Sequence, residues 1–194
     1  MVKFKDIIDK AKEVASKGIE LAKSQLEFEK MLADFDEKVG TVVSGVLQGH
    51  GYRGLRQAEE GDHYIVELAV EDESRVKHII ERDILRRYGP KDREKIVNII
   101  PDKIRVEITY TRRRSPAPTL LQPVTTEDVH VRLYLYYFVE KKGFLSRVKR
   151  EEHRISLGGF SFRSSDFIDY DAKTIDEEKL RAYLEDKLKG VGLI

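Results

Sequence analysis

Three stretches of this chain hold residue types whose spacing could do chemistry. Gly49-His50-Gly51-Tyr52-Arg53-Gly54 has the glycine spacing of a dinucleotide fingerprint. That motif works only where a strand precedes it and a helix follows, so that the pyrophosphate meets a helix N-terminus. Here the preceding residues have helical periodicity, and only six residues, Leu55–Glu60, separate Gly54 from Gly61. The glycines are therefore expected to make a helix-to-strand turn. His50, with Arg53 and Arg56 nearby, is the residue of this loop that could act on a substrate.

Asp166, Asp169 and Asp171 resemble the opening of a calcium loop, but Lys173, Thr174 and Leu180 stand where an oxygen ligand, the glycine and the bidentate glutamate belong. The five histidines, His50, His63, His78, His130 and His153, have no ligand-pair spacing, and the chain has no cysteine to complete a zinc site. No metal or cofactor is expected. Ser44 and Ser161 adjoin glycines without forming a nucleophile elbow.

The third stretch is basic. Residues 101–164 carry 13 basic and 7 acidic groups, although the whole chain is at +1. Arg112, Arg113 and Arg114 open a Pro-bounded loop. Lys141, Lys142, Arg147, Lys149, Arg150 and Arg154 follow within one hairpin, whose first strand places Tyr134, Tyr136 and Phe138 on one face. Cations that meet phosphates beside rings that stack on bases are the components of a nucleic-acid surface. Lysines and arginines also serve solubility and protect exposed strand edges; Glu140, Glu151 and Glu152 dilute the patch.

The elements that must position these residues read as α+β. Apolar positions from Phe4 to Leu47 recur at spacings of three and four, the stripe of an amphipathic helix. Two arrangements satisfy it: one rod over 3–48, or a helical hairpin whose second arm starts at a Ser24–Glu27 capping box. A rod would outreach a domain of this size and leave Phe4, Ile8, Ala11, Ala15, Ile19 and Leu26 to be covered by another chain, most simply a second copy. With Ala22 included, the steps from Phe4 to Leu26 average about 3.67 residues, close to an eleven-residue repeat. A β-hairpin follows at 52–58 and 63–70. Next come a helix around 76–85 that stops at Gly89-Pro90, and a helical turn over Lys91–Ile100. An antiparallel sheet is expected from about Ile104 to Phe167, with a loop at 115–123 and a bulge or reversal at Gly158-Gly159. A C-terminal helix is capped from Thr174. The chain divides into a helical segment, 1–48, and an α+β domain, 49–194.

Composition narrows the class. Charged residues make up 37% of the chain, while Cys is absent and Met occurs twice, a balance found in proteins of hot environments. No run approaches the length of a membrane span, and the first residues are already mixed in charge, so a cytoplasmic, non-membrane protein is expected. The function expected is non-catalytic: a binding or assembly protein that forms a homo-oligomer through its N-terminal helix and offers the basic 105–154 surface to a partner, DNA or RNA first. Two other classes are compatible: a structural subunit of a mobile-element or particle assembly with protein partners only, and an enzyme whose dispersed site uses the 49–56 loop.

Overall fold

The computed structural model describes residues 4–114 and 125–194; the side chains of Phe4, residues 20–25, Arg114 and Thr125 lie outside that description, as does the proline-containing loop expected at 115–123. The fold is α+β, as the periodicity implies. Helix α1 (Phe4–Gln48) runs unbroken for 45 residues, a rod of about 68 Å. The hairpin alternative fails because Ser24 lies inside the helix. No proline interrupts the segment, and tertiary packing of its second half offsets the cost of the interior glycines. Gly40 has a use: a Cβ there would run into the Tyr64 ring, so its absence lets the helix approach the sheet.

Five antiparallel strands form one sheet in sequence order: β1 (Tyr52–Glu60), β2 (His63–Val70), β3 (Ile96–Arg114), β4 (Thr125–Lys142) and β5 (Val148–Arg163). Helices α2 (Lys77–Arg87) and α3 (Pro90–Glu94) lie between β2 and β3. A two-residue ribbon, β6 (Ile168–Asp169) with β7 (Thr174–Ile175), leads to α4 (Glu177–Gly190). Three expected boundaries move. The turn foreseen over Lys91–Ile100 ends at Glu94, because Ile96, Val97, Ile99 and Ile100 are β-branched and begin β3 instead. The cap of α4 is Asp176, whose carboxylate accepts from the Lys179 amide, while Thr174 sits in β7. At the end of α1 the left-handed residue is Gly51 (φ +92°), two residues beyond the expected Gly49.

Alternation sorts the sheet into two faces. Inward on β4 stand Val129, Val131, Leu133, Leu135, Tyr137 and Val139, with Ile104, Val106 and Ile108 on β3 and Val66 and Leu68 on β2. Met31, Leu32, Phe35, Val39, Val43 and Leu47 of α1, Ile80 and Ile84 of α2, and Leu180, Leu184 and Leu188 of α4 close the same core. Helices α1, α2 and α4 thus share one face and leave the other uncovered, a common arrangement for antiparallel sheets.

The direction of α1 gives the molecule two ends. Tyr110 donates to the Asp36 carbonyl oxygen at 2.9 Å, at the far end of β3, whereas the residues after Gln48 lie beside Asp72. Residues 4–30 therefore run past the sheet, beyond its Arg112 end, and Lys5–Ile19 is exposed throughout. The tip of the β4–β5 hairpin lies at the opposite end. No helix among the described residues is long and apolar enough to cross a membrane.

Candidate nucleic-acid interface

The uncovered face carries the residues of interest. On β4 the outward positions are His130, Arg132, Tyr134, Tyr136, Phe138 and Glu140; Lys103, Arg105 and Glu107 flank them on β3, and Arg150, Glu152 and Arg154 on β5. Cations and rings are paired directly. Arg150 lies 4.0 Å from the centre of the Phe138 ring, Arg154 4.8 Å from that of Tyr134, and Lys103 5.3 Å from that of Tyr136. Such contacts hold long side chains in place at ~0.5–1 kcal/mol each, and the charges of Arg150 and Arg154 stay available, whereas Lys103 is also paired with Glu67. Arg132 makes no ion pair among the described residues.

Of the acidic groups on this face, Glu67 and Glu107 are engaged by cations, while Glu140 and Glu152 make no ion pair among the described residues. Glu67, buried at 8% exposure, accepts from Lys103 (2.9 Å), Arg105 (3.0 Å) and Arg56 (3.4 Å). Burial opposes its charge, but the three cations outweigh burial and hold its carboxyl below the usual range. Beside His130 the extra residue Leu157 bulges β5, and Gly158-Gly159 leaves a notch of about 520 Å³ next to Arg132 and Tyr134. The diglycine is a bulge within one continuous strand, and a Cβ on Gly159 would run into the Val131 carbonyl.

The expected basic residues do not converge. Arg112 faces inward, where its Nε binds the fully buried Glu127 at 3.0 Å; Arg113 pairs with Asp128 at 2.6 Å. The side chain of Arg114 is outside the described residues. Lys141 also faces inward, 3.8 Å from Glu151 and over the Tyr88 ring. Lys142, Arg147, Lys149 and Arg150 are at or near the hairpin tip. Glu127 and Lys141 are fourteen residues apart on one strand, about 46 Å, so the two basic clusters mark opposite ends of the sheet. What joins them is Arg132, Arg154, Lys103 and Arg105. Arg154 is legible in the sequence, but the other three become visible only when strand register brings them onto the same face.

The tip has a feature that hydropathy conceals. Phe144 is 87% exposed and Leu145 76%. Leu145 and Ser146 both have left-handed backbones (φ 61° and 59°), at roughly 1–2 kcal/mol for a non-glycine residue. The Gly143 amide closes the turn on the Arg147 carbonyl at 2.6 Å. Strand β5 begins only after this turn, at Val148.

Two buried polar clusters lie on the inner face. In the first, Asp83 accepts from Tyr137 at 2.5 Å, from Arg87 at 2.6 Å and from Arg86 at 2.8 Å. Burial opposes ionisation of Asp83, yet these donors outweigh it and hold its carboxyl low. Tyr88 donates to Glu151 at 2.6 Å and meets His153 Nε2; burial, then Arg87, lowers the His153 pKa and keeps the ring neutral. The network ties α2 to β4 and β5. In the second, the Asp36 carboxyl on α1 lies against Glu127, and Asp36 Oδ1 and Glu127 Oε2 are both buried without a hydrogen-bond donor among the described residues, so that one proton between the two carboxyls would satisfy them. Burial first, and Glu127 next, push the Asp36 pKa up to about 9, so it is the proton donor of the pair. Asp36 also lines a cleft of about 610 Å³ with Tyr110, Arg112, Glu37, Glu59 and Asp62.

The other candidates are engaged locally. His50 Nδ1 lies 2.8 Å from the Val46 carbonyl oxygen at the end of α1, Arg53 pairs with Glu71, and Arg56 with Glu60 and Glu67. The glycine-rich loop joins a helix to a strand, as its context implies. Asp169 accepts from the Asp171 and Ala172 amides, an Asx turn. Among the described residues no group of three or more His, Asp or Glu side chains could hold a metal ion. Of the self-association residues, Ile8 is 39% exposed, Ile19 59% and Leu26 58%, and Ala11 and Ala15 are also exposed; the side chain of Phe4 is outside the described residues. Comparison with known proteins finds no matching family model, no matching curated protein and no matching solved structure.

Proposed function

We propose that this chain is a non-catalytic binding and assembly protein that holds nucleic acid on its uncovered sheet face and pairs with a second copy through the projecting part of α1. The observation that supports it best is the outward row Arg132, Tyr134, Tyr136 and Phe138, flanked by Lys103, Arg150 and Arg154. Arg132, Arg150 and Arg154 make no ion pair among the described residues, so their charge can neutralise phosphates, with release of counterions as the driving force, while Lys103 is already paired with Glu67. The face extends along one strand direction, which suits a linear polyanion.

The test is binding of labelled single- and double-stranded DNA and RNA across a salt series. Affinity should fall steeply with salt, and Arg132→Ala with Arg154→Ala should reduce the slope by about two, one per lost phosphate contact. Folded protein that binds no nucleic acid at low salt would remove this reading. The exposed stripe Ile7, Ile8, Val14, Ile19 and Leu26 favours a second one, a structural subunit of a particle or mobile-element assembly with protein partners only. A concentration-independent monomer in light scattering would eliminate that subunit and the pairing of copies together.

A further inference from the structure

We propose that the β4–β5 tip is a wedge, which inserts Phe144 and Leu145 between base pairs of a double-stranded nucleic acid while Lys142, Arg147 and Lys149 hold the flanking phosphates. This rests on the nucleic-acid reading of the sheet face and assigns a separate act to a separate group of residues.

Three observations converge on the tip. Phe144 and Leu145 are more exposed than any other large apolar side chain among the described residues. They are held outward by a closed turn with consecutive left-handed residues, which is a defined shape and not a frayed end. Around them Lys142, Arg147 and Lys149 are exposed and make no ion pair among the described residues. An apolar point ringed by cations is complementary to a polyanion with an apolar interior.

Two such partners exist in chemistry, a base stack and an anionic lipid surface. The side chains of Phe144 and Leu145 together have fewer carbons than a single myristoyl chain, which alone gives only marginal membrane attachment. A single ring, by contrast, is about as thick as the ~3.4 Å rise of one base step and can fill a step that has opened, and Phe and Leu are among the side chains that unstack such steps. The tip also continues the sheet face, since Arg150 lies over Phe138 and the strand proceeds through Glu140 to Lys142. Ile96 pairs with Lys141, so β3 covers the ribbon only that far and the tip projects beyond it.

The experiment uses the full chain with 20-base-pair DNA and RNA duplexes carrying 2-aminopurine, whose fluorescence rises on unstacking. Wild type should raise it. The double variant Phe144→Ala with Leu145→Ala should keep the same salt slope, lose the fluorescence rise and bind roughly tenfold more weakly. Both side chains are exposed, and an unchanged thermal melt verifies folding. Duplex binding without any fluorescence rise overturns the wedge and leaves the sheet-face reading intact, as does binding confined to single strands. Binding to no nucleic acid overturns both. Flotation with phosphatidylserine vesicles that is lost in the double variant, in a protein that never unstacks a duplex, overturns the wedge in favour of a lipid contact.

Discussion

Replacing Asp36 with Asn should stabilise the protein, and by an amount that grows with pH. Asp36 on α1 donates a proton to Glu127, which Arg112 holds from the other side, and Glu59 lies near enough to oppose any second negative charge. The native carboxyl has its pKa raised from 3.8 to about 9, whereas in the unfolded chain it ionises at its ordinary value. Between those limits the native state binds a proton that the unfolded state lacks, so stability falls as pH rises, at most by about 1.4 kcal/mol per unit. Asp36 is only half-buried and borders an open cleft, and solvent screening there shortens the pH window from its upper end. We expect about 2 kcal/mol lost between pH 5 and 8 through this group. The asparagine amide donates an N–H to Glu127 at every pH and has no proton to lose. Urea denaturation followed by far-UV circular dichroism suits a chain without tryptophan. The Asp36→Asn variant and wild type should be alike near pH 4 and diverge steadily towards pH 8. A stability difference that is constant across pH, or a variant weaker than wild type at pH 8, would refute the shared proton.

Asp83→Asn leaves Arg86 and Arg87 without their carboxylate beneath α2, and a fall of ~3 kcal/mol in unfolding free energy is expected from denaturant titration. Gly159→Ala should lower the melting temperature by several degrees or abolish folding, because the new methyl meets the Val131 carbonyl oxygen across the strand pair; a melt identical to wild type would show that the bulge can relax. Ile8→Lys with Ile19→Lys removes two exposed apolar groups from the projecting helix. If copies pair there, sedimentation should shift to monomer while the melt of the sheet domain stays put, and an unchanged sedimentation profile would place any pairing elsewhere.

The sequence alone determined the elements whose signal is local. Spacings of three and four identify α1 because Val39, Val43 and Leu47 must share one face to be buried, and alternation identifies β4 because Tyr134, Tyr136 and Phe138 must share the other. Gly61, with φ +61°, marks the hairpin turn in residue type as well as in geometry. Whether α1 is one rod or two arms was open, since the periodicity is the same for both and only the choice of what the stripe packs against separates them. The basic residues were legible as types and not as a surface. Arg112 and Arg113 are adjacent in sequence, yet successive strand residues point to opposite faces, so one meets buried Glu127 and the other Asp128. Register across three strands decided that Lys103, Arg132 and Arg154 come together, and bulges such as Asp102 and Leu157 reset that register where no residue type announces it. The tip is the extreme case. No residue type marks Phe144 and Leu145 as exposed, and only the left-handed turn, fixed by pairing on both sides of it, turns them outward.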